Sequence, residues 1–106
     1  MSNLHNIQVQ DIQEEKGTDF YENFKEKLNA IEQFPTIYTF KCIVPALAEN
    51  KEKIEAIFTH PSTKISSKES STGKYNSYSI ENFVNSADEV IEYYKKLAII
   101  EKVIML

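Results

Sequence analysis

The chain has 106 residues, of which 42% are hydrophobic and 26% are charged, and its formal net charge at pH 7 is −4. This length accommodates one domain, and this composition is typical of folded rather than disordered proteins. All 12 basic residues are lysines, and residues 1–35 carry three of them against seven acids, whereas residues 36–106 carry nine of each. Phosphate and guanine are bound best by the planar fork of arginine, so this acidic chain without arginine is not expected to bind nucleic acid.

The sequence also argues against membrane insertion and against disulfides. No apolar run approaches the roughly 20 residues that span a bilayer, and the start, MSNLHNIQVQDIQEEKG, lacks the basic and apolar regions of a signal peptide. Cys42 is the single cysteine, which excludes an intramolecular disulfide and a multi-cysteine metal site. We therefore expect a cytoplasmic protein.

The N-terminal part divides into a polar segment and a helix. Residues 1–18 mix Asn, Gln and acidic residues with isolated aliphatic ones, which predicts a flexible arm before a single domain over residues 19–106. DFYENFKEKLNAIEQF predicts a helix over residues 20–33, opened by a capping box of Asp19 and Glu22. Its apolar face contains Phe20, Phe24, Leu28 and Ile31. Such a face either packs on its own domain or docks on a second copy or a partner.

A strand and a helix follow. Residues 36–44, TIYTFKCIV, alternate between apolar and polar positions, which predicts a half-buried strand that ends at Pro45. Residues 46–58, ALAENKEKIEAIF, are rich in helix formers, and Pro61 lies just beyond the predicted end of that helix.

The second half predicts a hairpin, a helix and a short strand. TKISSKESST is a weak strand candidate alone, but KYNSYSIENF alternates clearly, and Gly73 between them suits a hairpin turn with positive φ. Residues 86–89 match a capping box that opens a helix, and EKVIML reads as a terminal strand. The order is a helix followed by β-α-β-β-α-β, which predicts a ferredoxin-like α+β fold with two helices on one face of a four-stranded antiparallel sheet.

The other face of this sheet, called the open face below, carries mostly polar side chains. The strand alternation assigns to it Thr39, Lys41, Tyr75, Ser77 and Ser79, with Ile43 and Ile104 towards its margins. Core packing does not require these side chains, and Lys74 lies beside them at the predicted turn. These positions form the candidate contact surface: Lys74, Tyr75, Ser77, Ser79, Thr39 and Lys41.

The glycine of SSTGKYNSYSIENF does not indicate a phosphate site. A phosphate loop needs a glycine at position 68, where this chain has lysine, and it precedes a helix rather than a strand. The same stretch lacks the aromatic pattern of RNA-recognition domains.

No catalytic or metal site is indicated elsewhere. Cys42 shares strand parity with Tyr38 and Phe40, so it is interpreted as a core residue and not as a nucleophile whose base is His60. His60 is expected at a helix end, where a partial positive charge is favourable. Two histidines far apart in the sequence predict no metal site, and we expect no cofactor.

Two segments resemble the YbeD-like proteins, small bacterial proteins of uncharacterised function. FPTIYTFKCIVPAL fits the family's opening motif at Phe34, Pro35, Thr36, Tyr38, Phe40 and Lys41. STGKYNSYSI fits its hairpin strand at Ser71, Gly73, Tyr75, Ser77, Ser79 and Ile80, whereas Tyr78 stands where a small aliphatic residue is usual. The resemblance covers about residues 28–106 and implies a ferredoxin-like fold similar to ACT domains, the small-molecule-sensing modules of amino-acid metabolism. It implies no established activity.

We therefore expect a non-enzymatic regulatory or adaptor domain that acts through protein–protein contacts of its sheet face or edge. Since ACT-like sheets commonly pair side by side, the resemblance also implies a weak homodimer. The alternative is an ACT-like domain that senses an amino acid or another metabolite, although the strand-to-helix junction IVPALAEN has no glycine where ACT ligand loops usually have one. An enzyme is the third and least favoured hypothesis.

Overall fold

A computed structural model of the chain describes residues 18–106, with side chains from residue 21 onward. Its elements are α1 (Thr18–Ile31), β1 (Thr36–Pro45), α2 (Ala48–Ile57), β2 (Lys64–Glu69), β3 (Tyr75–Val84), α3 (Ala87–Leu97) and β4 (Ile104–Met105). The strands form one antiparallel sheet in the order β2-β3-β1-β4. The βαββαβ order after an N-terminal helix confirms the predicted ferredoxin-like α+β fold.

The two predicted N-terminal boundaries differ from the structure by a few residues. The helix predicted over residues 20–33 runs from Thr18 to Ile31, so Asp19 lies inside it and is not its N-cap. Of the arm predicted over residues 1–18, residues 1–17 lie outside the described residues, whereas Thr18 belongs to α1.

Helix α2 begins at Ala48 rather than at residue 46, because Leu47 has extended backbone angles and forms the N-cap. The Leu47 side chain is 53% exposed.

The core lies between the inner sheet face and the helices α2 and α3. Phe40 of β1 is fully buried, and its ring centroid lies 5.2 Å from that of Phe58 after α2 and 5.2 Å from that of Tyr94 on α3. The strand residues on this face are Tyr38, Phe40, Cys42, Val44, Tyr78, Ile80, Asn82, Val84 and Met105, all buried. The inward parity predicted from the alternation of β1 and β3 is confirmed.

Helix α1 packs on its own domain, which decides between the two alternatives for its apolar face. Phe24 and Leu28 are buried in the same core, and the Phe24 ring lies 5.5 Å from that of Tyr94. Lys25 also forms an ion pair of 3.1 Å with Asp88 at the start of α3. The last residue of the apolar face, Ile31, remains 48% exposed.

Helix α3 begins with the predicted cap. The Ser86 hydroxyl accepts a hydrogen bond of 3.3 Å from the backbone N–H of Glu89. The Glu89 carboxylate accepts in turn from the backbone N–H of Asn85, at 2.8 Å, one residue before the N-cap. Two backbone donors are thus satisfied where the chain turns from β3 into the helix.

Candidate functional site

The register of the four strands determines which residues are neighbours on the open face. Residues directly opposite each other in an antiparallel pair project to the same face. Lys41 of β1 lies opposite Ser79 of β3, which lies opposite Ser66 of β2. In the next row Ile104, Ile43, Ser77 and Lys68 stand side by side across all four strands. On the other side of Lys41, the row is Thr39, Glu81 and Lys64.

One corner of this face is apolar and concave. Ile43 and Ile104 are neighbours there, and Tyr75 at the start of β3 is 43% exposed. They line a concavity of about 560 Å³ together with Ser77, the last two residues of β2, Lys68 and Glu69, and the turn residues 70–71. Ile104 lies on the edge strand β4, as expected for the margin, whereas Ile43 stands opposite it near the end of the inner strand β1.

The β2–β3 turn fixes the position of Tyr75. Backbone N–H groups of Ser70 and Gly73 donate to the Tyr75 and Ser70 carbonyl oxygens, at 2.8 and 2.9 Å. The Ser70 hydroxyl accepts from the Tyr75 N–H at 3.2 Å. Gly73 has a φ of 73°, the positive value that the sequence predicted for this turn. The Lys74 carbonyl accepts from the Ala46 N–H at 2.9 Å, so the turn is also tied to the end of β1.

The charges of the open face differ from those of the chain as a whole. Lys41, Lys64 and Lys68 project from it and are exposed, and Glu81 is the acid in the same rows. Glu69 lines the concavity as well, with its carboxylate beneath Gly73. The three ion pairs found among the side chains of residues 21–106 all lie on the helices, so none of these lysines has a carboxylate of that range within 4.0 Å. The face is cationic although the chain carries a net charge of −4.

The structure brings most of the predicted contact residues together. Lys41, Ser77 and Ser79 are cross-strand or diagonal neighbours, and Tyr75 borders them at the concave corner. Thr39 lies one row further from that corner, beside Glu81, and Lys74 lies on the turn. Sequence reasoning did not identify the members contributed by β2, which are Lys64, Ser66 and Lys68. Every residue of β2 is exposed, so it has no apolar alternation from which a face could be read.

Cys42 and His60 occupy structural positions. Cys42 is completely buried on the inner face, and burial raises the pKa of its thiol to about 12. His60 lies in the loop after α2, where its ring stacks on Phe83 and its Nδ1 accepts from the Ser62 N–H at 3.1 Å. The Ser62 hydroxyl in turn accepts from the Phe83 N–H at 2.9 Å. His60 thus helps to attach the loop to the end of β3. It is distant from Cys42 in the sequence, and its contacts are with Ser62 and Phe83 rather than with Cys42.

No three His, Cys, Asp or Glu side chains among residues 21–106 converge in a way that could hold a metal ion. None of the helices within residues 18–106 is both long enough and apolar enough to cross a bilayer.

Comparison with known proteins places the domain in a family. A family model described as "Protein of unknown function (DUF493)" matches residues 29–106. The chain belongs to this family. DUF493 is the YbeD-like family of small uncharacterised bacterial proteins, so the resemblance seen in the two motifs is confirmed. The match begins within α1 and includes the whole sheet, α2, α3 and the open face. No curated protein and no solved structure matches the chain.

Proposed function

We propose that this DUF493 domain is a non-enzymatic regulatory or adaptor module that binds an acidic segment of a partner protein on its open face. The observation that carries the proposal is the combination of an apolar concave corner with lysines that have no carboxylate partner in the described part of the chain. Interfaces combine an apolar anchor with a polar rim, and complementary charges set their specificity. Ile43, Ile104 and Tyr75 would form the anchor, and Lys41 and Lys68 would contact carboxylates.

The non-enzymatic part of the proposal is supported by the positions of the reactive groups. A nucleophilic cysteine needs access to solvent and a lowered pKa, whereas Cys42 is buried and its pKa is raised. Apart from the Glu81 carboxylate, the exposed polar groups of the open face are hydroxyls and amines from serines, Thr39, Tyr75 and lysines. These groups suit binding, since among the described side chains no hydrogen bond or ion pair joins one of them to a histidine or a carboxylate that would activate it.

A site-specific test uses a photo-crosslinking amino acid placed at either of two positions in the intact protein in its native cells. Ser77 lies on the open face, and Glu52 is an exposed residue of α2 on the opposite side of the sheet. We expect a discrete adduct from position 77 that is lost when Lys41→Glu is added, and no such adduct from position 52. Adducts of equal yield from both positions, or an adduct from 77 that persists in Lys41→Glu, would contradict the proposal.

The second candidate function is an ACT-like small-molecule sensor, and the size of the concavity favours it. Ligand pockets have volumes of roughly 300 to 1,000 Å³, and the open-face concavity has about 560 Å³. A ligand at 100 times its dissociation constant stabilises the fold by about 2.7 kcal/mol. A thermal-shift screen of amino acids and metabolic acids therefore separates the candidates, because only a sensor shows a shift that Tyr75→Ala abolishes.

We also propose a weak homodimer formed through the sheet edge. Strand β2 is an edge strand of six residues, all exposed, which is the kind of edge that pairs with another strand. Lys64 and Lys68 on this strand would keep the pairing weak. Light scattering over a wide concentration range tests this, and a constant monomer mass would contradict it.

A further inference from the structure

The open face has a complementary segment within the same chain. The 17 residues that precede the described part carry Asp11, Glu14 and Glu15 against Lys16, and they contain four aliphatic side chains, Leu4, Ile7, Val9 and Ile12. Ile7 and Val9 alternate with Gln8 and Gln10, the period with which an extended segment presents one apolar side. Residues 1–17, called the N-terminal segment below, therefore combine carboxylates that complement the lysines of the open face with aliphatic side chains that complement its apolar corner.

The start of α1 lies at the same end of the fold as the apolar corner. The Lys95 amino group lies 4.5 Å from the centre of the Tyr21 ring, which places the beginning of α1 beside the last turn of α3. From there residues 98–103 connect α3 to β4, and Ile104 of β4 stands opposite Ile43. The N-terminal segment therefore joins the domain at the end of the fold where α3 leads into β4.

The segment is long enough to reach across the face. Seventeen residues span up to roughly 56 Å when extended. The fold measures 37 × 32 × 24 Å along its principal axes. The segment is therefore long enough to pass around the β4 edge and still cover the apolar corner and the rows that contain Lys41, Lys64 and Lys68.

A second groove, next to α1, does not offer the same complementarity. It lies between α1 and α3, has a volume of about 430 Å³ and includes Glu22. Its lysines are already engaged, since Lys25 pairs with Asp88 at 3.1 Å and Lys95 contacts Glu92 at 4.0 Å. An acidic segment placed there would meet carboxylates and no unpaired lysine of the described residues, whereas Lys41, Lys64 and Lys68 on the open face are unpaired among them.

We propose that the N-terminal segment binds the open face of its own domain and competes there with the partner. Its aliphatic side chains occupy the corner formed by Ile43, Ile104 and Tyr75, and its carboxylates lie along the lysines of β1 and β2. The segment then acts as an intramolecular inhibitor that a partner must displace. This inference rests on the proposed function of the open face and adds the regulation of that site.

Methyl NMR on the full chain tests the contact directly. Isoleucine methyl groups report on the corner through Ile43 and Ile104, on the α1–α3 groove through Ile91, and on the core through Ile54. The test variant is Ile7→Ser with Val9→Ser, and the matched control is Gln8→Ser with Gln10→Ser. We expect the Ile43 and Ile104 resonances to move in the test variant and not in the control, with Ile54 and Ile91 unchanged in both.

Three other results would overturn the proposal. The Ile43 and Ile104 resonances could stay in place in the test variant, or Ile91 could move instead, which would place the segment in the groove. A difference that disappears on dilution would show that the segment binds a second copy. Raising the salt concentration should move the wild-type resonances towards those of the test variant, because screening weakens the contacts between lysines and carboxylates.

The outcome can be separated from the test of the proposed function. If the segment competes with a partner, the test variant gives more crosslinked adduct from position 77 than the wild type. If the methyl resonances do not respond but Lys41→Glu still abolishes the adduct, the intramolecular contact is wrong and the adaptor function stands. If the methyl resonances respond and no adduct forms, the contact is right and the function needs another explanation.

Discussion

Replacing Leu28 tests whether α1 is an integral part of the domain. Leu28 is fully buried, and Leu→Ala changes at such sites cost about 2 to 5 kcal/mol because a cavity remains. We expect a loss of about 3 kcal/mol in the free energy of unfolding, which is a large fraction of the 5 to 15 kcal/mol typical of a domain. Since 1 kcal/mol shifts the midpoint of a domain of this size by about 4 to 8 °C, the Tm should fall by roughly 12 to 24 °C.

The matched control is Ile31→Ala on the same helix. Ile31 is 48% exposed, so its side chain buries only about half as much area as a fully buried isoleucine. Ile31→Ala should therefore lower the free energy of unfolding by about 1 kcal/mol or less. Urea unfolding followed by far-UV circular dichroism gives both values, and the slope against urea should not change. If Leu28→Ala cost no more than Ile31→Ala, α1 would not be packed on this core in solution and the decision between its two alternatives would be reversed.

Three further experiments test the core thiol, the helix cap and the turn. Burial raises the pKa of Cys42 from 9.0 to about 12, so a thiol reagent should modify it at pH 8 only after unfolding. Because the folded pKa is the higher one, the stability that the protonated thiol contributes is complete below pH 9 and is lost as pH rises towards 12. Ser86→Ala should cost about 1 kcal/mol by removing the cap of α3, whereas Ser86→Asn should cost much less. Gly73→Ala should cost about 1 to 2 kcal/mol because φ is positive there; equal urea midpoints for Gly73→Ala and wild type would contradict this reading of the turn.

The sequence predicted the features that depend on local periodicity. β1 and β3 alternate strongly, so the inward position of Cys42 and the outward positions of Lys41 and Ser79 follow from period two alone. Ser86 was identified as a cap because its spacing from Glu89 satisfies backbone groups within one turn. These interactions are short-range, which is why a single sequence suffices to predict them.

What depends on pairing between distant segments was not predictable in the same way. That Ile43 and Ile104 lie opposite each other depends on the register between β1 and β4, which are separated in the chain by α2, β2, β3 and α3. Lys64 and Lys68 join the open face only through the register of β2 with β3, since β2 has no pattern of its own. The surface on which α1 packs could not be predicted from the sequence either. In the structure α1 packs against α3.

The open face is the surface on which this account depends, and affinity measurements on matched charge reversals test it most directly. The partner identified by crosslinking at position 77 is purified and titrated calorimetrically into wild type, Lys41→Glu and Lys51→Glu. Lys41 projects from the open face, whereas Lys51 is an exposed lysine of α2 without an ion pair among the described residues. We predict binding at least about tenfold weaker for Lys41→Glu, equivalent to 1.4 kcal/mol, and unchanged for Lys51→Glu. Equal affinities for the two variants would contradict the assignment of the open face as the binding surface.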